Sequence, residues 1–397
     1  MNIKIFTRAI ASILFRFFWI FPVKKNKIIF CSYSGKGISD NPKYIMEEII
    51  KQDLEYDLVW IAKQNINYDN ISNKVRYVKW KSIRSIYELA TAKVWIDNSR
   101  KLKYIRKRKS QYYIQTWHGA IALKQIEKDA EDVLDKYYVE SAKNDSRMAD
   151  LLISNSKFCT NLYRNSFWYD GSILECGSPR NDILINDTEY FKLKICEYYK
   201  LDKNINIAMY APTFRRNNNL DVYNLDYEKC ISALKNKFGG EWVIIVRLHP
   251  SISEKAKNIK YTNNIINGSI YDDMQQLLAA TDILITDYSS SMFDFMITKK
   301  PIILYATDME EYKKDRNFYF NIEELPFKVA SNNQEMENGI CEFDNKVYIN
   351  KLNQFISRLD INENGVASYK VVEVIKNFIN NNTREIVDEK YSLIKGR

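Results

Sequence analysis

The sequence predicts an α/β protein built from two Rossmann-type domains with parallel sheets. Three observations carry that prediction. Short apolar runs alternate with helical stretches along most of the chain, the pattern of parallel strands covered on both faces. Those runs end in Gly, His, Arg, Ser and Asp rather than in hairpin turns, so polar groups gather at the carboxyl edges of the sheets. A length of 397 residues exceeds what one core organises, which implies two domains.

The chain opens with MNIKIFTRAIASILFRFFWIFP (residues 1–22), in which Lys4, Arg8 and Arg16 interrupt every apolar run. That excludes a membrane-spanning helix. On a helix, Lys4, Arg8, Ser12 and Arg16 form one stripe at i+4 steps, while Phe6, Ile10, Ile13, Leu14, Phe17, Phe18 and Phe21 cover the other side. A basic amphipathic helix rich in aromatics suits the interface of an anionic membrane. Packing on the protein's own core is the alternative. No small-residue cleavage site follows, which argues against a signal peptide.

Lys27–Tyr33 is the first strand, Ser34-Gly-Lys-Gly37 turns the chain, and Asn41-Pro-Lys43 opens a helix that runs to Lys51. Further strands are expected at Tyr56–Ala62, Val75–Val78, Val94–Asn98, Tyr112–Trp117, Leu151–Ser154 and Ile173–Cys176. Among them lies KLKYIRKRK (Lys101–Lys109), a basic run that is either solvated surface or a face for lipid head groups or a pyrophosphate-linked acceptor. A polar helical connector spans 183–201. The second series follows: Ile207–Tyr210, a helix at Cys230–Phe238, Trp242–Leu248, Asp282–Thr286, a helix started by Asp287-Tyr-Ser-Ser-Ser291, and the strand Pro301–Tyr305. Helices at 346–359 and 369–380 close the chain. The expected organisation is a helix at 1–22, a first domain at 23–182, the connector, and a second domain at 202–397 that includes the C-terminal helices.

Composition narrows the chemistry. Hydrophobic residues make up 46% and charged residues 27%, so the chain folds rather than remaining disordered. The net charge of +9 allows an anionic partner. No zinc finger, RNA-binding signature or helix-turn-helix pattern is present, which argues against nucleic acid. The six cysteines are scattered without a C-x-x-C, as reduced buried thiols of a cytosolic protein would be, and with two histidines they leave no plausible metal site.

Both histidines, His118 in Trp117-His-Gly119 and His249 in Arg247-Leu-His-Pro250, fall at carboxyl ends of expected strands. Arg180, Arg215, Arg247 and Arg316 offer fork-shaped donors to phosphate, and Ser289 and Ser290 offer hydroxyls and helix-terminal amides. Facing domains with such edges would form a cleft fit for a nucleotide diphosphate. No Walker A sequence and no Asp-x-Asp pair appears, which disfavours ATP hydrolysis and a metal-cradled nucleotide-sugar site.

The ordered set WHG (117–119), GSPRND (177–182), APTFR (211–215), RLHP (247–250), LITDYSSSMFDF (284–295) and KPIILYATDMEEYKKDR (300–316), with SGKGISDNPKY near the amino end, resembles the CDP-glycerol glycerophosphotransferase family. The resemblance implies a GT-B-like fold of two facing Rossmann-type domains at the inner face of a bacterial membrane. It implies transfer of glycerol phosphate from CDP-glycerol to a hydroxyl of a lipid-linked saccharide or polysaccharide acceptor in teichoic acid or capsule-like polymer synthesis; the alternatives are ribitol-phosphate transfer from CDP-ribitol and sugar transfer from a nucleotide sugar on the same GT-B fold. CMP is released and no cofactor is implied. On this resemblance His118 is the general base and His249 serves the phosphates or the leaving side. Arg180, Thr213, Arg215, Arg247, Asp287, Ser289, Ser290, Asp308 and Arg316 would serve the donor, and Gly119, Lys124 and Asp129 the acceptor. After WHG, Ala120–Lys124 is one residue longer than the family's usual segment.

Overall fold

The computed structural model describes residues 3–63, 72–215, 223–249, 259–313, 317–381 and 393–394. The chain divides into two compact units. The first comprises residues 1–120, 126–182 and 361–397, and the second comprises 121–125 and 183–360.

The first unit carries eight strands: β1 (Lys24–Cys31), β2 (Asp57–Ala62), β3 (Val75–Lys79), β4 (Ala92–Asp97), β5 (Tyr112–Gln115), β6 (Leu151–Ser154), β7 (Ser172–Glu175) and the late strand Leu393–Ile394. From one edge they lie in the order β3, β2, β1, β4, β5, β6, β7, with Leu393–Ile394 antiparallel to β7 and every other pairing parallel. The central strands read as unbroken apolar runs because both faces are covered. On one face Ile28, Phe30, Trp60, Ile96 and Ile114 pack against the helices Asp40–Lys51 and Ala367–Asn381. On the other, Ile29, Val59, Trp95 and Tyr113 meet the helix Ile83–Thr91 and Phe15 of the N-terminal helix.

The N-terminal helix, Ile3–Phe17, packs on the protein's own core through part of its surface. Phe15 is fully buried, 6.4 Å edge-on to Trp95, and Phe18 meets Tyr87. Ile13, Phe17 and Ile20 nevertheless remain 67%, 56% and 68% exposed, an apolar stripe that the core does not cover. No described helix is long and apolar enough to cross a membrane. The basic run at 101–109 is largely occupied within the fold. Lys101 pairs with Asp97 at 2.6 Å, Lys103 with Glu140, and Lys107 with Asp150 at 2.8 Å. Arg108 donates to the carbonyls of Phe18 and Phe21, both at 2.9 Å, and so anchors the end of the N-terminal helix.

The second unit has a wholly parallel sheet of β8 (Asn206–Ala211), β9 (Trp242–Val246), β10 (Ile265–Asn267), β11 (Ile283–Thr286), β12 (Ile302–Tyr305) and β13 (Lys328–Ala330), in the order β10, β9, β8, β11, β12, β13. Ile244, Ile285 and Ile303 build its core against the helices Tyr227–Phe238 and Asn333–Cys341. In each unit the strand order reverses direction once, at β1/β4 and at β8/β11. Ligands bind at such switch points in open parallel sheets.

Two expectations need correction. The C-terminal helices do not stay together: Asn345–Leu359 belongs to the second unit, whereas Ala367–Asn381 returns to the first. Asp182 fixes that return by accepting from the amides of Ala367 (2.9 Å) and Ser368 (2.7 Å), a carboxylate cap on the last helix. Five cysteines are buried as expected, but Cys341 is exposed.

Candidate active site

In the first unit, polar groups collect where β1, β4 and β5 end. His118 is the third residue after β5 and is half-buried. Its Nδ1 lies 2.8 Å from the Asn98 carbonyl at the end of β4. A carbonyl only accepts, so Nδ1 carries the proton and Nε2 presents a lone pair. Burial lowers the imidazole below its ordinary pKa and outweighs the Asn98 carbonyl and Asp40, which favour the charged form. The ring is therefore neutral and basic at neutral pH. Trp117 (ring centres 4.2 Å apart) and the edge of Tyr33 (5.7 Å) frame it.

Arg180, expected on the donor phosphates, is instead buried beside this histidine. Its Nη1 donates to Asp40 Oδ2 and to the His118 carbonyl, each at 2.8 Å. Asp40 and Asn41 lie in the motif SGKGISDNPKY but were not among the expected site residues, and the structure sets both beside His118. Among the acceptor-side candidates, the Gly119 carbonyl accepts from Tyr163 (3.3 Å) and exposed Asp129 accepts from Ser166. Lys124 parts from them. Residues 121–125 belong to the second unit, where Leu123 and Gln125 hydrogen-bond the 317–319 segment and Lys124 sits 3.9 Å over the Tyr312 ring.

In the second unit the expected donor residues converge at β8/β11, but in a closed arrangement. Arg215 is 5% exposed. It reaches Asp287 at 2.9 Å, Asp308 at 2.6 and 2.9 Å, and the Thr213 carbonyl at 2.7 Å. Asp287 also accepts from the Thr213 amide (2.8 Å), the Thr213 hydroxyl and the Tyr288 amide (2.6 Å). Burial opposes the guanidinium charge, yet its bonds to Asp308 and Asp287 outweigh burial and hold its pKa above the arginine norm. Arg215, Asp287, Asp308 and Thr213 are thus bonded to one another across the loops that follow β8, β11 and β12. Arg247 likewise donates to the carbonyls of Gly268 (2.8 Å) and Tyr271 (2.5 Å). Gly268 is required there, since a Cβ would lie 2.4 Å from Ile245 Cγ2.

Exposed His249 follows β9, with its ring 5.8 Å from Phe214. Half-buried Ser289 and Ser290 follow β11 at the start of the helix Ser291–Phe295; the Ser289 hydroxyl accepts from the Ser291 hydroxyl at 2.9 Å. Arg316 lies outside the described residues, as does Pro250. No group of three or more His, Cys, Asp or Glu residues arranged for a metal ion occurs among the described residues.

Residues 13–377 match the family described as CDP-glycerol:poly(glycerophosphate) glycerophosphotransferase. A teichoic acid poly(glycerol phosphate) polymerase of Bacillus spizizenii is 34% identical over 378 residues, 92% of this chain and 95% of that protein. Two further polymerases of that description, from Staphylococcus epidermidis and Bacillus subtilis, are longer, and the chain spans about half of each. A teichoic acid poly(ribitol-phosphate) polymerase of B. spizizenii is 26% identical over 386 residues, 93% of this chain and 60% of that protein. Among solved structures, the wall teichoic acid polymerase TagF superposes with a TM-score of 0.81 at 28% identity, covering 96% of this chain and 99% of that one. A TagF variant soaked with CDPG superposes with a TM-score of 0.82, also at 28% identity, covering 96% and 99%.

Proposed function

The chain belongs to the CDP-glycerol:poly(glycerophosphate) glycerophosphotransferase family, and from that premise we propose a mechanism in which His118 is the general base. The enzyme transfers glycerol phosphate from CDP-glycerol to an acceptor hydroxyl in teichoic-acid-type polymer synthesis. His118 Nε2 removes the proton of that hydroxyl as its oxygen attacks the distal phosphorus of CDP-glycerol. The bond from that phosphorus to the bridging oxygen breaks, and CMP leaves with the electron pair. His249 and the Ser289–Ser290 helix start serve the diphosphate and the departing CMP. Arg215, Asp287, Asp308 and Thr213 act behind them by fixing the loops after β8, β11 and β12. The acceptor is a lipid-linked saccharide or polysaccharide, and the enzyme works peripherally on the inner membrane surface.

The observation that carries this reading is the Asn98 carbonyl 2.8 Å from His118 Nδ1, which leaves Nε2 as a base. The decisive assay incubates the protein with labelled CDP-glycerol, CDP-ribitol or a nucleotide sugar plus lipid-linked disaccharides, and follows the nucleotide product. Release of CMP from CDP-glycerol is expected. Preferred turnover of CDP-ribitol would make it a ribitolphosphotransferase, and release of a nucleoside diphosphate would make it a glycosyltransferase.

Two further expectations follow from the same geometry. Because burial lowers the His118 pKa, activity needing the neutral ring is complete above the ordinary histidine value of 6.5 and fails as pH falls through the depressed one. The acid limb of kcat/KM should therefore have its midpoint below 6.5; a midpoint above it would contradict a buried neutral base. For the membrane, an I13E/F17E variant changes only exposed positions. At ~1.5 kcal/mol per apolar side chain withdrawn from water, its binding to anionic phospholipid vesicles should weaken on the order of 100-fold. Unchanged co-sedimentation would remove the helix as the anchor.

A further inference from the structure

We propose that Asp40 and Arg180 form a positioning pair for His118, holding its backbone in place and tuning its basicity through opposed charges; this rests on the reading of His118 as the general base.

The grip on the backbone is built from three elements. Arg180 Nη1 ties the Asp40 carboxylate to the His118 carbonyl with two 2.8 Å bonds. The Arg180 amide donates to Asn41 Oδ1 at 3.0 Å, and Asn41 Nδ2 donates back to the Trp117 carbonyl at 3.2 Å and the Thr116 carbonyl at 3.4 Å. Three successive carbonyls entering the histidine are thus held by two side chains from elsewhere in the chain. The grip has work to do. Trp117 sits at φ +54° and Asp40 at φ +63°, left-handed conformations that bulky or β-substituted residues adopt only when their surroundings impose them.

The charges around the ring are few. Asp40, at the start of the helix Asp40–Lys51, bears a carboxylate that favours the imidazolium. Arg180 bears a guanidinium that opposes it, and Glu127, itself bound to Arg100 at 2.8 Å, adds a second anion. Tyr33 contributes a neutral hydroxyl, which donates to Asp40. Asp40 and Arg180 pull the ring in opposite directions while bonded to each other. Removing one therefore exposes the field of the other, whereas removing both leaves the ring near its starting basicity.

The test measures CMP release against pH for the full-length wild type and for D40N, R180Q, D40N/R180Q and H118A. In D40N the acid limb of kcat/KM should move down by about half a pH unit or more, and in R180Q it should move up by a similar amount. The double variant's limb should return to within about 0.2 units of wild type while kcat stays roughly tenfold or more reduced, since the grip is gone. The KM for CDP-glycerol should change by less than about twofold, because no donor role falls to the pair. A merely structural role would lower rate or melting temperature and leave the limb in place; an unmoved limb in folded D40N overturns the proposal. Should R180Q fail to fold, R180K keeps the charge and loses the fork. Its kcat should fall with the limb unmoved, and full activity would overturn the positioning role. H118A separates the two readings. Near wild-type turnover in H118A refutes the base assignment, whereas an H118A slowed by about 10²-fold or more, with unmoved limbs in the other variants, refutes this inference alone.

Discussion

Replacing His118 with alanine should lower kcat by about 10²–10⁴-fold, the usual contribution of a positioned general base. The loss should fall on the chemical step, because the imidazole meets the acceptor proton rather than the nucleotide. CDP-glycerol should bind with nearly unchanged affinity, as read by calorimetry, while single-turnover CMP release slows. The residual rate should also lose its acid limb, since the group that titrates has been removed. The reason for so large an effect is local. Nδ1 is occupied by the Asn98 carbonyl at 2.8 Å and burial favours the uncharged ring, so Nε2 presents a basic lone pair at pH 7. An H118A enzyme turning over at near wild-type rate would end the assignment.

The second large effect is on stability. Arg215→Ala should destabilise the second unit by about 3–5 kcal/mol, the cost of leaving buried charges without their partner. The guanidinium is 5% exposed, bridges Asp287 and Asp308, and stacks over Tyr312 (4.6 Å) and Tyr288 (5.0 Å). Without it, two mostly buried carboxylates face each other with no counter-charge. Urea unfolding should show a midpoint lowered accordingly. Neutralising one carboxylate, in R215M/D308N, should recover part of the loss, because an apolar side chain of similar length then replaces the ion cluster. A midpoint for R215A matching wild type would show that the cluster contributes nothing, and phosphate-facing chemistry would have to be sought for Arg215 instead.

The frame of the molecule was legible from residues because burial on both faces leaves an unmistakable mark. The strands expected at Ile207–Tyr210, Trp242–Leu248, Asp282–Thr286 and Pro301–Tyr305 are found as β8, β9, β11 and β12, with β9 ending two residues early at Val246 and β11 and β12 each starting one residue late, and the polar residues after them mark the switch points. What the sequence hid is partnership. An arginine at a strand end looks the same whether it faces phosphate or a carboxylate 140 positions away. Arg180, Arg215 and Arg247 were all assigned to the ligand, and all are held by protein groups. Asn41 passed for a helix start, and Asp40 beside it drew no role, because capping and site-building use the same residue types. The return of Ala367–Asn381 to the first sheet had no signal either, since an amphipathic stripe says that a helix is covered but not by what. Its one trace was Asp182 in GSPRND, and the cap it makes joins residues 185 and 186 positions apart.

That cap has a bearing on how the protein is made. Nearly all of the second unit is one unbroken stretch, Ile183–Asp360, whereas the first waits for a helix that follows that stretch in the chain. As the chain leaves the ribosome, the face formed by Ile28, Phe30 and Ile114 has no Val371, Ile375 or Phe378 to cover it until the whole of the second unit has been made. The second unit can therefore complete its core while the histidine-bearing unit is still open. The unit that carries His118 is thus closed after the second one, by a helix that the intervening stretch delays.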